Sequence, residues 1–454
     1  MNRLFSKDNQ YFAILLAHIL LGCILYKYPK LGSYFGILVA VSGFFYVIFH
    51  KNKNHEVLQV AGYFIGSEVL LRMTYGFLSY EFMKCSLLML AGLGIFYDGF
   101  SKKTLPYWIY LLALIPSIFF ENDLSNITRT TLNGIAFDLL GPVCLGFFAI
   151  YTYGKKISLQ TLNTILMAIG LPILSCGAYV FLYNPDIDIY LRGVCSNSMF
   201  SGGFGPNQVS TILGLGMFIF FMQLVINSAT KIRFGVHLSI FSLLCYLGFL
   251  TFSRGGMITG CAICIIFLIS IYYGSESYGK AKAKTGLVYF TSVVLLVIGL
   301  ISYQTNGLIE KRYTNRDHRG KVQKDTSVDR KALAQTQIRL FIENPVLGVG
   351  LGKGITVKEV KSGHVNSHDE LTRLLANHGI MGLLNILILI ITPMVLFFKS
   401  RHNAYCVVFF TFWFLSINHS GMRTAAPAFL YALTLLCVKI DDEIFFKKPN
   451  ESTS

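Results

Sequence analysis

Ionisable side chains are concentrated in one short stretch of this chain, HVNSHDELTRLLANHG at residues 364–379, directly in front of a hydrophobic run. Histidine has an unperturbed pKa of ~6.5, so it is the usual proton acceptor near neutral pH. The tetrapeptide Ser367-His368-Asp369-Glu370 has the form of a capping box, which predicts Ser367 as the N-cap of a short helix and His368 as its first residue. The positive end of the helix dipole disfavours the imidazolium there. The pattern therefore indicates a neutral histidine that can act as a general base.

Two other interpretations of this stretch are open. A histidine at a membrane boundary can simply hydrogen-bond a lipid headgroup or a capping carbonyl. His364 and His368 are also four residues apart beside Asp369 and Glu370, a spacing that suits metal ligands when both histidines share one face of a helix. Because His364 precedes the predicted cap and no HExxH pattern is present, the sequence favours a site without metal.

The second chemical candidate is Arg254, in FSRGG, which occupies a very short turn between two hydrophobic runs. Arginine is a fixed cation with a planar fork that matches phosphate oxygens, and Gly255 and Gly256 leave the approach to it open. The alternative is an arginine that snorkels to a lipid headgroup. The flanking runs offer no Asp or Glu partner, which favours a ligand-binding role.

Several weaker candidates follow from local patterns. The capping box Thr326-Ser327-Val328-Asp329 and the stop at Pro345 predict a helix over 326–343 with Arg330 near its start. The glycine-alternating NPVLGVGLGKG at 344–354 follows no strand and opens no long helix, so it is interpreted as a tight packing turn and not as a phosphate loop. Arg192 and Asn207 lie in the polar loop YLRGVCSNSMFSGGFGPNQVS at 190–210 and are further candidates. Three other residues are interpreted as surface or packing residues: Arg339, Arg373 and His378.

The elements that must position these residues are membrane helices. The chain has 454 residues, of which 54% are hydrophobic and 14% charged, well outside the range of soluble globular proteins. Apolar runs long enough to cross ~30 Å of hydrocarbon recur from end to end. They predict an all-α polytopic membrane protein of about 12–14 transmembrane helices with one large extracytoplasmic helical loop. Glu68 and Arg72, one helical turn apart in a predicted span, are expected to pack inside the bundle or to lie partly at the interface.

The net charge of +16 reflects membrane topology and does not indicate a nucleic-acid partner. Lys and Arg are concentrated in the short loops on the side of both termini, which places those termini in the cytoplasm. The predicted organisation is transmembrane helices 1–11 in residues 1–303, an extracytoplasmic helical loop with the catalytic residues in 304–378, transmembrane helices 12–14 in 379–438, and a cytoplasmic tail in 439–454. The long loop is basic, so it should attract anions.

The second half of the chain, from about Asn207 to the last span, resembles the bacterial O-antigen ligase and O-antigen polymerase superfamily. FSRGG is similar to the family's Ser-Arg-Gly turn, DRKALAQTQIRLFIENPVLGVGLG to its arginine-led helix, and SHDELTRLLANHGIMG to its histidine-led helix. The resemblance implies a lipid-carrier (C-type) glycosyltransferase fold with His368 as the catalytic base and Arg254 and Arg330 as the diphosphate-binding residues. The chain departs from the family pattern at Asp369, where Asn, Ser or Gln is usual, and at Asn377, where Glu is often found. Other possible donor or acceptor contacts are Arg192, Asn207, His364 and Asp369.

This resemblance also implies a reaction and a location. The partners would be an undecaprenyl-diphosphate-linked glycan donor and a glycan or lipid-linked glycan acceptor, such as lipid A–core, which meet at the outer face of the bacterial inner membrane. Fixed cations would stabilise the departing diphosphate and His368 would remove the acceptor proton, so the anomeric centre would invert and no metal or other cofactor is expected. Ligase activity is favoured over the polymerisation of repeat units, which shares this chemistry. A polyprenyl-glycan flippase or other transporter is a third hypothesis, but it predicts ionisable residues deep in several spans, and the sequence offers few.

Overall fold

The computed structural model describes residues 7–76, 79, 81–119, 129–183, 196, 198–275, 277–314, 316, 326–351, 369–399 and 404–439. Of residues 7, 129–131, 326–330, 404 and 439 it describes the backbone alone. Nearly all of these residues are helical, and two three-residue strands pair in one small sheet. The prediction of an all-α polytopic membrane protein is confirmed.

The chain divides into two compact units, and the helices are numbered α1 to α18 along the sequence. The first unit comprises Met1–Tyr80, Ser158–Gln323 and Ile440–Ser454, and the second comprises Glu81–Ile157 and Lys324–Lys439. The helices of the first unit are α1 Lys7–Lys27, α2 Leu31–His50, α3 Glu56–Met73, α8 Leu159–Tyr183, α9 Pro206–Ile226, α10 Lys231–Leu250, α11 Arg254–Gly274, α12 Ser277–Gln304 and α13 Leu308–Tyr313, with a 3₁₀ turn at Ser198–Ser201. Those of the second unit are α4 Phe82–Asp98, α5 Leu105–Leu114, α6 Pro116–Phe119, α7 Arg129–Thr152, α14 Thr326–Glu343, α15 Glu370–His378, α16 Ile380–Lys399, α17 Ala404–His419 and α18 Ala426–Leu433, with a 3₁₀ turn at Lys102–Thr104. The strands are β1 Lys156–Ser158 and β2 Cys437–Lys439.

Nine helices in the described part of the chain are long and apolar enough to cross a membrane, and α17 is a shorter apolar helix. Several carry largely exposed apolar side chains, such as Phe49 on α2 at 84% exposure and Leu295 on α12 at 70%, which suits a surface in contact with lipid. The other predicted spans are shorter or more charged helices. The last of the three helices predicted within 379–438 forms only the short α18, because the helix is capped at Thr434 and the chain then pairs through the Cys437 N–H with the Lys155 carbonyl.

Small residues allow the central helices of the first unit to approach closely. A Cβ at Gly214 on α9 would lie 2.7 Å from the Gly256 carbonyl, and one at Gly260 on α11 would lie 2.8 Å from the Gly214 Cα. Such contacts between small residues are typical of helix packing in membranes. They fix α9 and α11 side by side, and with them the residues at the start of each helix.

On α3, Glu68 and Arg72 form a buried ion pair with an N–O distance of 2.8 Å. Their side chains are 1% and 2% exposed, respectively. This agrees with the first of the two expectations, that the pair packs inside the bundle.

In the second unit, α15 and α16 are joined by a single residue. Gly379 has a φ of 60°, a left-handed conformation that glycine adopts without a steric penalty. A Cβ at Gly382 would lie only 2.2 Å from the Leu374 carbonyl oxygen, so the two helices fold back on each other at close range. The helix that follows Gly379 begins at Ile380, next to the predicted boundary.

Candidate functional site

Arg254 is the first residue of α11 and follows a turn of three residues, 251–253, that ends α10. In this turn Phe252 has a φ of 56°, a region that L-residues other than glycine rarely adopt. The Ser253 N–H donates to Thr251 Oγ1 at 3.2 Å. The predicted short turn between two spans is present, and its backbone is held in an unusual conformation directly before the arginine.

Hydrogen bonds join this turn to the start of α9. Ser253 Oγ donates to Asn207 Oδ1 at 2.9 Å, and Ser210 Oγ donates to Ser253 Oγ at the same distance. A Cβ at Gly256 would lie 2.4 Å from the Thr211 nitrogen. Gly256 therefore serves the packing of two helix ends, whereas the sequence indicated only an open approach to Arg254. The structure places Asn207 beside the turn, and its contact with a substrate stays a prediction.

A second arginine, Arg312 near the end of α13, holds the same turn. Arg312 Nε donates to the Phe252 carbonyl at 3.1 Å, and Arg254 Nη1 donates to the Arg312 carbonyl at 3.4 Å. The hydroxyl of the next residue, Tyr313, is buried without a hydrogen-bond partner among the described residues. Burial raises the pKa of Tyr313, and the charges of Arg254 and Arg312 partly oppose the rise. Sequence reasoning missed Arg312, because only the fold brings it to a turn that lies about 60 residues earlier in the chain.

These groups together favour an anion. The N-termini of two helices of 21 residues each lie side by side, and each carries a partial positive charge. Arg254, which is half-buried, adds a full charge and a planar set of donors that suits phosphate oxygens. The first unit thus brings a cation and two helix N-termini together at the Arg254 turn, and the binding of a diphosphate there stays a prediction.

In the second unit, α14 has the predicted bounds, Thr326–Glu343. Arg330 lies near the start of this helix, and the structure describes its backbone only. Its proposed role in binding diphosphate stays a prediction.

The predicted start of the histidine-led helix is wrong by two residues. α15 begins at Glu370, and its N-cap is Asp369, whose φ of −100° and ψ of 114° are extended and whose carboxylate accepts from the Leu371 N–H at 3.1 Å. Ser367 and Asp369 are both good N-cap residues, and the cap that forms is the one whose carboxylate also meets the Thr372 hydroxyl at 2.9 Å. Burial raises the pKa of Asp369, and its hydrogen bonds partly oppose the rise. His368 is thus not the first residue of the helix.

Three predicted site residues lie outside the described residues: His368, His364 and Arg192. Their roles stay predictions. The metal-binding alternative for the two histidines is likewise untested, although the described ranges contain no group of three His, Cys, Asp or Glu side chains placed to hold a metal ion.

The most densely charged feature of the second unit is a buried cluster around Arg373, which sequence analysis left as a surface or packing residue. Arg373 Nη2 donates to Glu370 at 2.7 and 2.5 Å, and Nη1 donates to Asp138 on α7 at 3.2 Å. All three side chains are at most 8% exposed. The available signal was Asp138 itself, an acid within an apolar run, since such residues are rarely tolerated without a partner or a function.

The far end of α15 is held by the glycine-rich turn. The Val349 N–H donates to the Ala376 carbonyl at 2.8 Å, and the Gly350 N–H donates to the Asn377 carbonyl at 3.2 Å. A Cβ at Gly348, where φ is 70°, would lie 2.5 Å from the Ala376 oxygen. These amides satisfy the helix C-terminus and are not free to bind phosphate. Over residues 344–351 the interpretation as a packing turn is correct.

His378, the last residue of α15, is a buried structural histidine. Its Nδ1 lies 2.6 Å from Ser117 Oγ on α6. Burial, and secondarily the charge of Arg373, lowers the pKa of His378 to about 4. At neutral pH this imidazole is uncharged, which agrees with its interpretation as a packing residue.

Comparison with known proteins identifies one family. Residues 239–387 match the family described as O-antigen ligase. The matched segment contains the Arg254 turn, α14 and α15. No curated protein matches the chain. The match agrees with the resemblance seen in the sequence, and over this segment the chain is similar to the O-antigen ligase family.

Proposed function

We propose that this protein is an O-antigen ligase-like glycosyltransferase that moves a glycan from undecaprenyl diphosphate to an acceptor hydroxyl on lipid A–core or another glycan. The family match supports ligase or polymerase chemistry in a multi-pass membrane protein. The observation that carries the finer proposal is the Arg254 turn, where an arginine and two helix N-termini favour a diphosphate. We place the reaction at the outer face of the bacterial inner membrane, from the charge distribution of the short loops.

The proposed reaction is a single displacement. The acceptor oxygen forms a bond to the anomeric carbon, and the bond from that carbon to the diphosphate oxygen breaks with its electron pair remaining on the diphosphate. Arg254 and Arg330 stabilise the negative charge that develops on the leaving group. His368 takes the proton of the acceptor hydroxyl. The anomeric centre inverts, and the diphosphate linkage supplies the driving force, so the proposal requires neither a nucleotide nor a metal.

The arginines provide the direct test. Arg254→Lys and Arg330→Lys keep the charge but lose the bidentate fork, so each should lose most transfer activity while the protein still accumulates in the membrane. Arg339→Lys is a matched control on α14, because the Arg339 side chain is 78% exposed and pairs with Glu343 at 2.7 Å. Transfer is measured with purified protein, undecaprenyl-diphosphate glycan and lipid A–core. Full activity of both lysine variants would show that the arginines only anchor lipid headgroups.

A repeat-unit polymerase would use the same residues, so a second measurement separates the two activities. We expect a bacterial strain without this protein to lose all capped lipopolysaccharide bands and to accumulate carrier-linked polymer. Survival of caps that are one repeat unit long would instead identify a polymerase.

A further inference from the structure

We propose that Asp138, Glu370 and Arg373, here named the Arg373 cluster, form a positioning device that fixes the start of α15 and thereby presents His368 to the acceptor. The inference rests on the proposed function, in which His368 is the base. Two peptide units separate His368 from Glu370, so their Cα atoms are at most about 7.6 Å apart. The direction in which the chain enters the helix at Glu370 therefore limits where the imidazole can lie.

The cluster determines the rotation of α15 about its axis as well as its position. Both oxygens of Glu370 accept from Arg373 Nη2, at 2.7 and 2.5 Å, one turn further along the same helix. Nη1 of the same guanidinium reaches Asp138 on α7 at 3.2 Å. Because the guanidinium is planar and its donors point in fixed directions, these bonds hold together only at one orientation of the helix.

Two further segments, in addition to α7, hold the first turn of α15. Glu370 Oε2 also accepts from the Met422 N–H at 3.2 Å, in the turn between α17 and α18. That turn packs on α7 one turn beyond Asp138, where a Cβ at Gly141 would lie 2.7 Å from the Met422 Cβ. The Thr372 hydroxyl donates a hydrogen bond to Gln337 Oε1 on α14 at 2.6 Å. The first turn of α15 is thus attached to α7, α14 and the 420–425 turn at once.

The charges of the cluster are poorly explained by stability alone. Two carboxyl groups share one guanidinium, and all three side chains are buried. Buried ion clusters of this kind can often be replaced by apolar side chains without loss of stability, whereas removing one member is damaging. What apolar side chains do not reproduce is the directional set of hydrogen bonds that fixes the helix orientation. This difference provides the test.

The test compares a complete apolar replacement with a matched control. The triple variant Asp138→Leu, Glu370→Met and Arg373→Met removes the cluster as a unit. The double variant Glu68→Met and Arg72→Met removes a different buried carboxylate–guanidinium pair, on α3, whose side chains are at most 2% exposed. Thermal unfolding of the full-length protein in detergent reports folding, and transfer from undecaprenyl-diphosphate glycan to lipid A–core reports kcat and the KM for the donor.

We expect the triple variant to unfold near the wild-type temperature, to keep the donor KM within about twofold, and to lose on the order of 10²-fold in kcat, the usual cost of misplacing a reacting group by about 1 Å. The control should keep kcat. Arg373→Lys is the second variant if the triple variant does not fold. This variant keeps the positive charge but loses the planar guanidinium that binds both carboxylates, so its kcat should decrease.

Two outcomes would overturn the inference: wild-type kcat in a folded triple variant, or wild-type kcat in Arg373→Lys. If the wild-type protein transfers no glycan, the proposed function itself is refuted. This result differs from either outcome above, in which the wild type is active and only the positioning role fails.

Discussion

Removing the side chain of Arg312 should impair the reaction without affecting the amount of protein, although Arg312 is not assigned to the substrate. Its Nε donates to the carbonyl of Phe252, the residue with a φ of 56° directly before Ser253 and Arg254. In Arg312→Ala this bond is lost while the backbone strain remains. The turn should then populate other conformations, in which Arg254 no longer lies at the paired helix ends.

The size of the expected effect follows from comparing the cost of the strained backbone at Phe252 with the contribution of the hydrogen bond from Arg312. A left-handed conformation costs a non-glycine residue about 1–2 kcal/mol. A hydrogen bond with a charged donor contributes about 1.5–3 kcal/mol. The bond thus offsets the strain in the wild type, and its loss should shift the turn equilibrium by about its own contribution. At about 1.4 kcal/mol per factor of ten, this corresponds to a decrease of about 10- to 100-fold in turnover. The bonds from Ser253 to Thr251 and Asn207 remain, so the lower end of this range is expected.

The assay is glycan transfer by purified protein at matched concentration, with KM for the donor measured alongside kcat. Arg316→Ala is the control, because Arg316 is an exposed arginine only four residues further along the chain and its removal changes the net charge equally. Equal losses in the two variants would mean that the effect is general electrostatic attraction of the donor. Undiminished turnover in Arg312→Ala would refute the argument that the strained turn must be held.

Four further outcomes are expected. His368→Ala should lose on the order of 10²–10⁴-fold in turnover with carrier-lipid binding retained. His364→Ala should lose much less turnover, and chelators should have no effect. Activity that chelation abolishes and zinc restores would favour the metal interpretation instead. Asp369→Asn should keep stability, because Asn caps a helix as well as Asp, whereas Asp369→Ala should lose about 0.5–2 kcal/mol; a drop in turnover for the Asn variant at unchanged stability would identify Asp369 as an acceptor contact. His378 has a pKa of about 4 in the folded protein, so the unfolded chain binds this proton first as the pH falls. The free energy of unfolding should therefore decrease from about pH 6.5 towards pH 4. His378→Asn should remove part of this pH dependence when thermal unfolding is measured at pH 7 and pH 5. Cysteine labelling should find residue 340 on the extracytoplasmic side, and a cytoplasmic position would contradict the proposed topology.

Features that depend on neighbouring residues could be predicted from the sequence. The bounds of α14 followed from one capping box and one proline, and the Arg254 turn from two apolar runs that leave room for nothing longer. Helix formation in lipid satisfies the backbone within each segment, so apolar length alone identifies most spans. The packing role of the turn at 344–351 also followed from its local context, since no strand precedes it.

Features that depend on distant partners could not be predicted. Asp138 and Arg373 are 235 residues apart in the chain, and no local pattern in a single sequence pairs them. Arg312 likewise meets the Arg254 turn only in the folded unit. The error at the start of α15 has a different origin: Ser367 and Asp369 are both suitable caps by residue type, and tertiary contacts of Thr372 and Glu370 decide between them.

The Arg373 cluster also explains one departure from the family pattern. Asn377 stands where the family often has Glu, and its Nδ2 lies 3.5 Å from Asp138 Oδ2. A glutamate in this place would bring a third carboxylate next to those of Asp138 and Glu370, and like charges close together in a buried site are strongly unfavourable. An amide can instead turn a donor towards Asp138. The presence of Asp138 on α7 is thus a structural reason for an uncharged residue at position 377, which contributes to the support of α15.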